Sequence, residues 1–144
     1  LARGNTDLNT TNTTSEEDLI SISIPAGLMG ANGRLVVTHF WEMTNGANNK
    51  TMRVKLGGTA FFANIQTTVL IFLPPATQIW NRNSEASQIA FAAANGSTTV
   101  GTGTAATTGT VNTAAATTLA ISGQKAVGTD TLRLYAYSVE LVRP

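Results

Sequence analysis

His39 is the only histidine of the chain, and Trp41 and Glu42 follow it closely. A histidine that shares a cleft with a serine hydroxyl and an aspartate is the core of acyl-transfer chemistry. Serines and aspartates are present, but no serine sits in a Gly-x-Ser-x-Gly elbow. His39 lies in the middle of a strand-like run, between Thr38 and Phe40. A reactive group there needs a pocket in front of it, so the pattern favours a packed or interface histidine. One histidine and no cysteine fall short of the three or four ligands of a zinc site within a single chain. Only a metal on a symmetry axis, with His39 donated by three copies, escapes that count.

Carboxylates are the next source of chemistry. Glu16, Glu17 and Asp18 are contiguous in a polar stretch, where a solvated acidic cluster is expected. Glu42, Glu85, Asp130 and Glu140 are isolated in sequence, so a glycosidase pair would have to be assembled by the fold. No D-x-[DN]-x-[DN]-G loop for calcium occurs. The glycines of "VGTGTAATTG" lack the spacing and the Lys-Ser/Thr ending of a phosphate cradle. No metal or other cofactor is expected. Asn-x-Ser/Thr sequons at Asn9, Asn12, Asn49 and Asn95 follow from an Asn- and Thr-rich composition.

One segment carries binding chemistry. "PPATQIWNRNS" places Trp80 beside Asn81 and Arg82 after a double proline. Tryptophan with amide and guanidinium neighbours can stack on a sugar ring or anchor a protein partner. The plainer alternative has Trp80 filling the sandwich edge or a subunit contact.

The elements that must position these residues read as strands. Thr, Ala, Asn and Gly dominate, while the best helix formers are sparse. "DLISISIP" alternates Ile20, Ile22 and Ile24 against Ser21 and Ser23, and Pro25 ends it. From Arg34 to Met43 one parity is Leu35, Val37, His39, Trp41 and Met43, and the other holds Val36 and Phe40. Apolar residues on both parities predict a central strand covered on both sides. "TNGANN" supplies turn formers, and "KTMRVKLGG" alternates Met52, Val54 and Leu56 against Thr51, Arg53 and Lys55. The expectation for 33–58 is a hairpin whose basic face meets solvent.

Further strands are expected over Ala60–Ile65, Thr67–Leu73, near Trp80, over "ASQIAFAAANG", in the Thr/Ala/Gly tract after it, and in "DTLRLYAYSVELVRP". A short helix over 85–94 is the weaker reading of the alanines there. The total is about eight or nine short strands punctuated by turns, the pattern of an antiparallel sandwich or jelly roll. A small barrel is the alternative. Residues 1–17 read as an N-terminal arm or linker, and 18–144 as one β-sandwich domain.

At 144 residues, one core can bury roughly two-thirds of the unfolded surface. A net charge of +1, with 12% charged residues, gives no basic face for nucleic acid. No apolar run approaches the roughly 20 residues of a membrane span, so no membrane insertion is expected. The absence of cysteine excludes disulfides and thiolate chemistry. The chain opens on Leu1 and not on Met, as a processed product or a fragment of something longer would.

Three stretches carry a resemblance. "EDLISISIPAGLMGANGRL", "NNKTMRVKLGG" and "ISGQ" with "DTLRLYAYSVELV" resemble the opening strand, the Lys-Thr strand and the closing strand of a family. It is the C-terminal domain of tailed-bacteriophage fibre and appendage structural proteins. The likeness covers most of 16–144 as a pattern of strands and turns, and "FFANIQTTVLIFLPPATQIWNRN" has no close counterpart. It implies a jelly-roll-like β-sandwich that assembles as a homotrimer without enzymatic activity. The implied setting is the virion, made in the bacterial cytoplasm. The implied partners are the chain itself, other virion proteins, and a host-surface glycan or protein.

The function expected first is therefore the distal domain of a tail fibre or appendage that mediates host attachment. A capsid decoration or cement protein, its 1–17 arm draped over a neighbouring subunit, is the alternative. A polysaccharide-degrading tailspike is the third reading.

Overall fold

The structure, a computed structural model, describes residues 1–91 and 106–144. Twelve strands and no helix occur among them: β1 (Ala2–Gly4), β2 (Leu8–Asn9), β3 (Glu17–Ile24), β4 (Arg34–Met43), β5 (Lys50–Leu56), β6 (Thr59–Gln66), β7 (Ile71–Phe72), β8 (Thr77–Asn81), β9 (Gln88–Phe91), β10 (Thr107–Gly109), β11 (Thr117–Lys125) and β12 (Leu132–Val142). They form two antiparallel sheets, so the β-sandwich expected from the alternation is the architecture observed. The larger sheet runs β1-β12-β4-β8-β9-β10, with β2 also on β12 and β7 also on β4. The smaller runs β3-β11-β5-β6. The glycine-rich run at 100–109 lies mostly outside the described residues.

Period-two patterning dictates what fills the space between the sheets. From β4 come Leu35, Val37, Trp41 and Met43; from β5, Met52, Val54 and Leu56; from β11, Leu119 and Ile121; from β12, Leu132, Leu134 and Val139. All are essentially inaccessible. Each such side chain contributes roughly 1.5–3 kcal/mol relative to leaving it exposed.

The hairpin expected over 33–58 does not form. β4 pairs with β12, β8 and β7 in the larger sheet, whereas β5 pairs with β11 and β6 in the smaller. Residues 44–49 carry the chain from one layer to the other, across the ~10 Å that separates packed sheets. A hairpin needs a tight turn. Here the longer connection is held at both ends, by Thr44 N–H donating to the Thr131 carbonyl and by Lys50 Nζ donating to the Gly46 carbonyl. Arg34 therefore lies on the opposite outer face from Arg53 and Lys55. β4 is central in its sheet, but only its Leu35 parity is fully buried. On the other parity Val36, Phe40 and Glu42 are half-buried and Thr38 is exposed.

A true tight hairpin joins β5 to β6, with Leu56 opposite Thr59. Gly57 and Gly58 sit at φ 53° and 79°, as a type I′ turn requires at both central positions. Three one-residue register shifts interrupt the ladders. On β6 the extra residue is Phe61, because Val54 faces Phe62 while Lys55 faces Ala60. The bulge turns two consecutive aromatics, Phe61 and Phe62, into the core. The others fall at Leu19 on β3 and Tyr135 on β12.

The 1–17 segment, expected as an arm, lies along its own domain. Ala2–Gly4 pairs with Val139–Tyr137 and Leu8–Asn9 with Leu134–Arg133.

Candidate contact surface

Trp80, Asn81 and Arg82 follow one another in sequence but not in direction. On β8 the alternation buries Thr77, Ile79 and Asn81 and turns Gln78 and Trp80 outward. Asn81, 4% exposed, is committed to the interior. Its Nδ2 donates to the Gly30 carbonyl at 2.7 Å and to Thr113 Oγ1 at 2.9 Å, and its Oδ1 accepts from Gln88 Nε2 at 2.9 Å. Gln88 in turn bonds both backbone groups of Val111. Asn81 thus fastens the 30s loop and the segment before β11 to β8. Arg82 is exposed beyond the strand end. Only Trp80 reaches the outer face, and there the Arg34 guanidinium lies 4.4 Å from its ring centroid while donating to Gln78 Oε1. One face of the indole is already covered.

Trp80 belongs to a wider surface, the outer face of the larger sheet. Cross-strand register sets its rows. Ile89, Trp80, Arg34 and Val142 form one, and Gln78, Val36 and Glu140 the next. Beyond them run Thr38, Ser138 and Arg3, then Phe40 with Ala136, and last Ile71, Glu42 and Arg133. The bulged Tyr135 tilts against Phe40, with ring centroids 5.6 Å apart. Arg133 stacks over Tyr135 at 4.9 Å and pairs with Asp7 and Glu42. At this end the surface turns apolar: Ile71 is 49% exposed, Leu70 55% and Leu73 64%. The "VLIFLPP" run was legible as a strand of 67–73; only Ile71–Phe72 is one, and the remainder presents leucines to solvent.

The residues that promised catalysis are occupied otherwise. His39 is buried, so it cannot meet copies of itself around a metal on an axis. Trp41 Nε1 donates to His39 Nδ1 at 2.7 Å, which places the imidazole proton on Nε2. Phe62 packs edge-on at 4.9 Å. Burial pushes the His39 pKa down to about 3. No ion pair joins it to a carboxylate, and no group of three or more His, Asp or Glu gathers as metal ligands among the described residues.

The acidic cluster is not simply solvated. Glu16 takes Lys55 at 2.6 Å, Arg53 at 3.2 Å and the Ser122 hydroxyl at 2.6 Å, while Asp18 takes Lys55 at 2.7 Å. Burial raises the Glu16 pKa, but hydrogen bonds from Lys55 and Ser122 and the charges of Arg53 and Lys55 outweigh it and hold the carboxyl below its ordinary value. Glu17 accepts from the backbone and hydroxyl of Thr11. The acids of 16–18 thus secure the N-terminal segment and neutralise the basic face of β5.

No family model, curated protein or solved structure matches the chain in comparison.

Proposed function

We propose that this chain is a bacteriophage virion structural protein, the distal domain of a tail fibre or appendage, which assembles as a homotrimer and attaches to the host surface. One observation carries the reading. At one end of the outer face of the larger sheet, Phe40 packs against the bulged Tyr135 beside exposed Leu70, Ile71 and Leu73, while Trp80 stands at the opposite end, beyond the rows of Gln78 and Thr38. Contiguous apolar surface of this kind marks a protein contact. The charges at this end, on Asp7, Glu42 and Arg133, are neutralised within the chain, and Arg133 is stacked on Tyr135, as suits burial against identical copies.

The jelly-roll-like form of the sandwich belongs to the same reading, since the chain passes repeatedly between the two layers. Absence of enzymatic activity is part of it too, because Glu42 and Asp130 each face a cation of their own, Arg133 and Lys50. The decoration-protein alternative relies on an arm free to drape over a neighbour. Pairing of β1 and β2 with β12 of the same chain weighs against it.

Immunogold labelling of intact particles tests placement: label is expected at the tail tip or appendage, and label over the head surface favours the decoration reading. Adsorption to host cells tests attachment. Trp80→Ala is expected to reduce adsorption with the oligomer intact, and unchanged adsorption removes the Trp80 row from the receptor contact.

A further inference from the structure

An asparagine followed by glycine can react with its own backbone, because nothing on the glycine stops its nitrogen from approaching the carboxamide carbon. The chain has three such steps, Asn32-Gly33, Asn45-Gly46 and Asn95-Gly96, and the last lies outside the described residues. The fold treats the other two in opposite ways.

Both Asn32 and Asn45 are exposed, so access to water does not separate them. Asn32 is clamped. Its Oδ1 accepts from the Asn83 backbone N–H at 3.0 Å, and the Gly33 carbonyl accepts from the Asn81 N–H at 2.9 Å. Gly33 is buried, with its backbone pressed onto Met29: a β-carbon there would stand 2.0 Å from the Met29 carbonyl oxygen. Turning the Asn32 carboxamide onto the Gly33 nitrogen costs the first bond and needs room that this packing denies.

Asn45 stands in the 44–49 crossing between the sheets. The Gly46 N–H reaches the Thr67 carbonyl only at 3.5 Å, beyond the ordinary length of such a bond. A β-carbon on Gly46 would meet nothing nearer than Thr44 Cγ2 at 3.9 Å, so the surroundings are open. The Lys50 ammonium, 3.0 Å from the Gly46 carbonyl oxygen, puts positive charge beside the nitrogen that turns anionic before it attacks.

We infer that Asn45 is a self-modification site, at which the chain converts its own carboxamide to a carboxyl group. The Gly46 nitrogen gives its proton to water and bonds to Asn45 Cγ. The Cγ–Nδ2 bond breaks, and the side-chain nitrogen takes a proton back and leaves as ammonia. The five-membered imide then adds one water at either carbonyl. Opening at one gives aspartate on the native backbone; opening at the other gives an isoaspartyl link, whose main chain runs through the side chain. That link lengthens the crossing by one carbon and draws the Gly46 carbonyl off Lys50, which otherwise holds it. The connection between the two sheets therefore slackens as the molecule ages. This goes beyond the attachment reading and does not rest on it.

Peptide mapping by mass spectrometry tests the site on the purified protein, held in heavy-oxygen water at mildly alkaline pH. The Asn45 peptide is expected to take up heavy oxygen as a mixture of aspartyl and isoaspartyl forms. The Asn32 peptide is expected to react about tenfold more slowly, the effect of a hydrogen bond and packing to be broken first. In the urea-unfolded chain the two rates are expected to converge. Gly46→Ala, for which there is room, is expected to leave the urea midpoint of fresh protein native and to slow the Asn45 reaction. On ageing, the native midpoint is expected to fall while that of Gly46→Ala holds. An Asn45 peptide that stays unlabelled, or equal rates at Asn45 and Asn32 in the folded protein, overturns the site. A rate gap that persists in urea overturns the part played by the fold, and a native midpoint unmoved by conversion overturns the slackening.

Discussion

Lys50 and Lys125 stand directly opposite each other on β5 and β11, and both ammonium groups are buried at one end of the sandwich. Backbone carbonyls are what they bind. Lys125 Nζ donates to Thr11, Gly128 and Asp130 at 2.7–2.8 Å, and Lys50 Nζ to Gly46 and Thr67 at 3.0–3.1 Å. The one carboxylate nearby, on Asp130, is 3.8 Å from Lys50 and makes no hydrogen bond with it. Each lysine therefore acts as a many-armed donor that ties loops from both layers to the end of the core.

Lys125→Met keeps the length of the stem and removes the donors, leaving three carbonyls in need of partners. We expect it to lower unfolding stability by about 3 kcal/mol, measured by urea denaturation. It should also loosen the 1–13 segment, read as faster amide exchange at Thr10. A loss under about 0.5 kcal/mol, the level of an ordinary surface change, would show that the carbonyls are satisfied without it.

The His39–Trp41 pair gives stability a specific pH window. With its pKa depressed to about 3 against an ordinary 6.5, His39 is neutral when folded but gains a proton on unfolding below pH 6.5. Stability from its burial is thus fully present above 6.5 and is lost as pH falls toward 3. Glu16, held below its ordinary 4.5, withdraws its own contribution only under that value. The interval from pH 6.5 to 4.5 isolates the histidine, and about 2 kcal/mol should disappear across it. His39→Gln keeps an acceptor for Trp41 without the titration, and should flatten the decline. An identical slope in that variant would assign the effect elsewhere.

Neighbours in sequence should separate cleanly at the end of β8. Asn81→Ala removes bonds to Gly30, Thr113 and Gln88 and is expected to cost about 2–3 kcal/mol. Arg82→Ala should stay within about 0.5 kcal/mol, as exposed positions do. Thermal and urea unfolding of the two variants side by side checks this.

Local signals made the strands legible. Ile20, Ile22 and Ile24, or Met52, Val54 and Leu56, announce a half-buried strand through alternation, and Gly57-Gly58 announces its turn. Alternation does not say which sheet a strand joins. The β4 and β5 patterns look the same whether residues 44–49 fold back or cross over, and the crossing depends on Lys50, Thr44 and Thr131, which meet only in three dimensions. Bulges also defeat period two: Phe61 and Phe62 are both interior because one extra residue resets the phase. Of the contact surface, Trp80 was legible from its type. Its partner Arg34 and the stacked Tyr135–Arg133 pair were not, since cross-strand register brings them together over long sequence separations. The acids of 16–18 were visible, but the cations that neutralise them come from β5, which no local pattern links to them.

The central claim is that the Phe40, Tyr135 and Ile71 end of the larger sheet's outer face is a surface for contact between copies. Native mass spectrometry, with sedimentation at micromolar concentration, tests it most directly. The account predicts a particle three times the 15.0 kDa chain. It also predicts that Ile71→Asp, at a side chain already 49% exposed, returns a folded monomer. A native chain that stays monomeric, or a trimer that Ile71→Asp and Tyr135→Asp both leave intact, would contradict it.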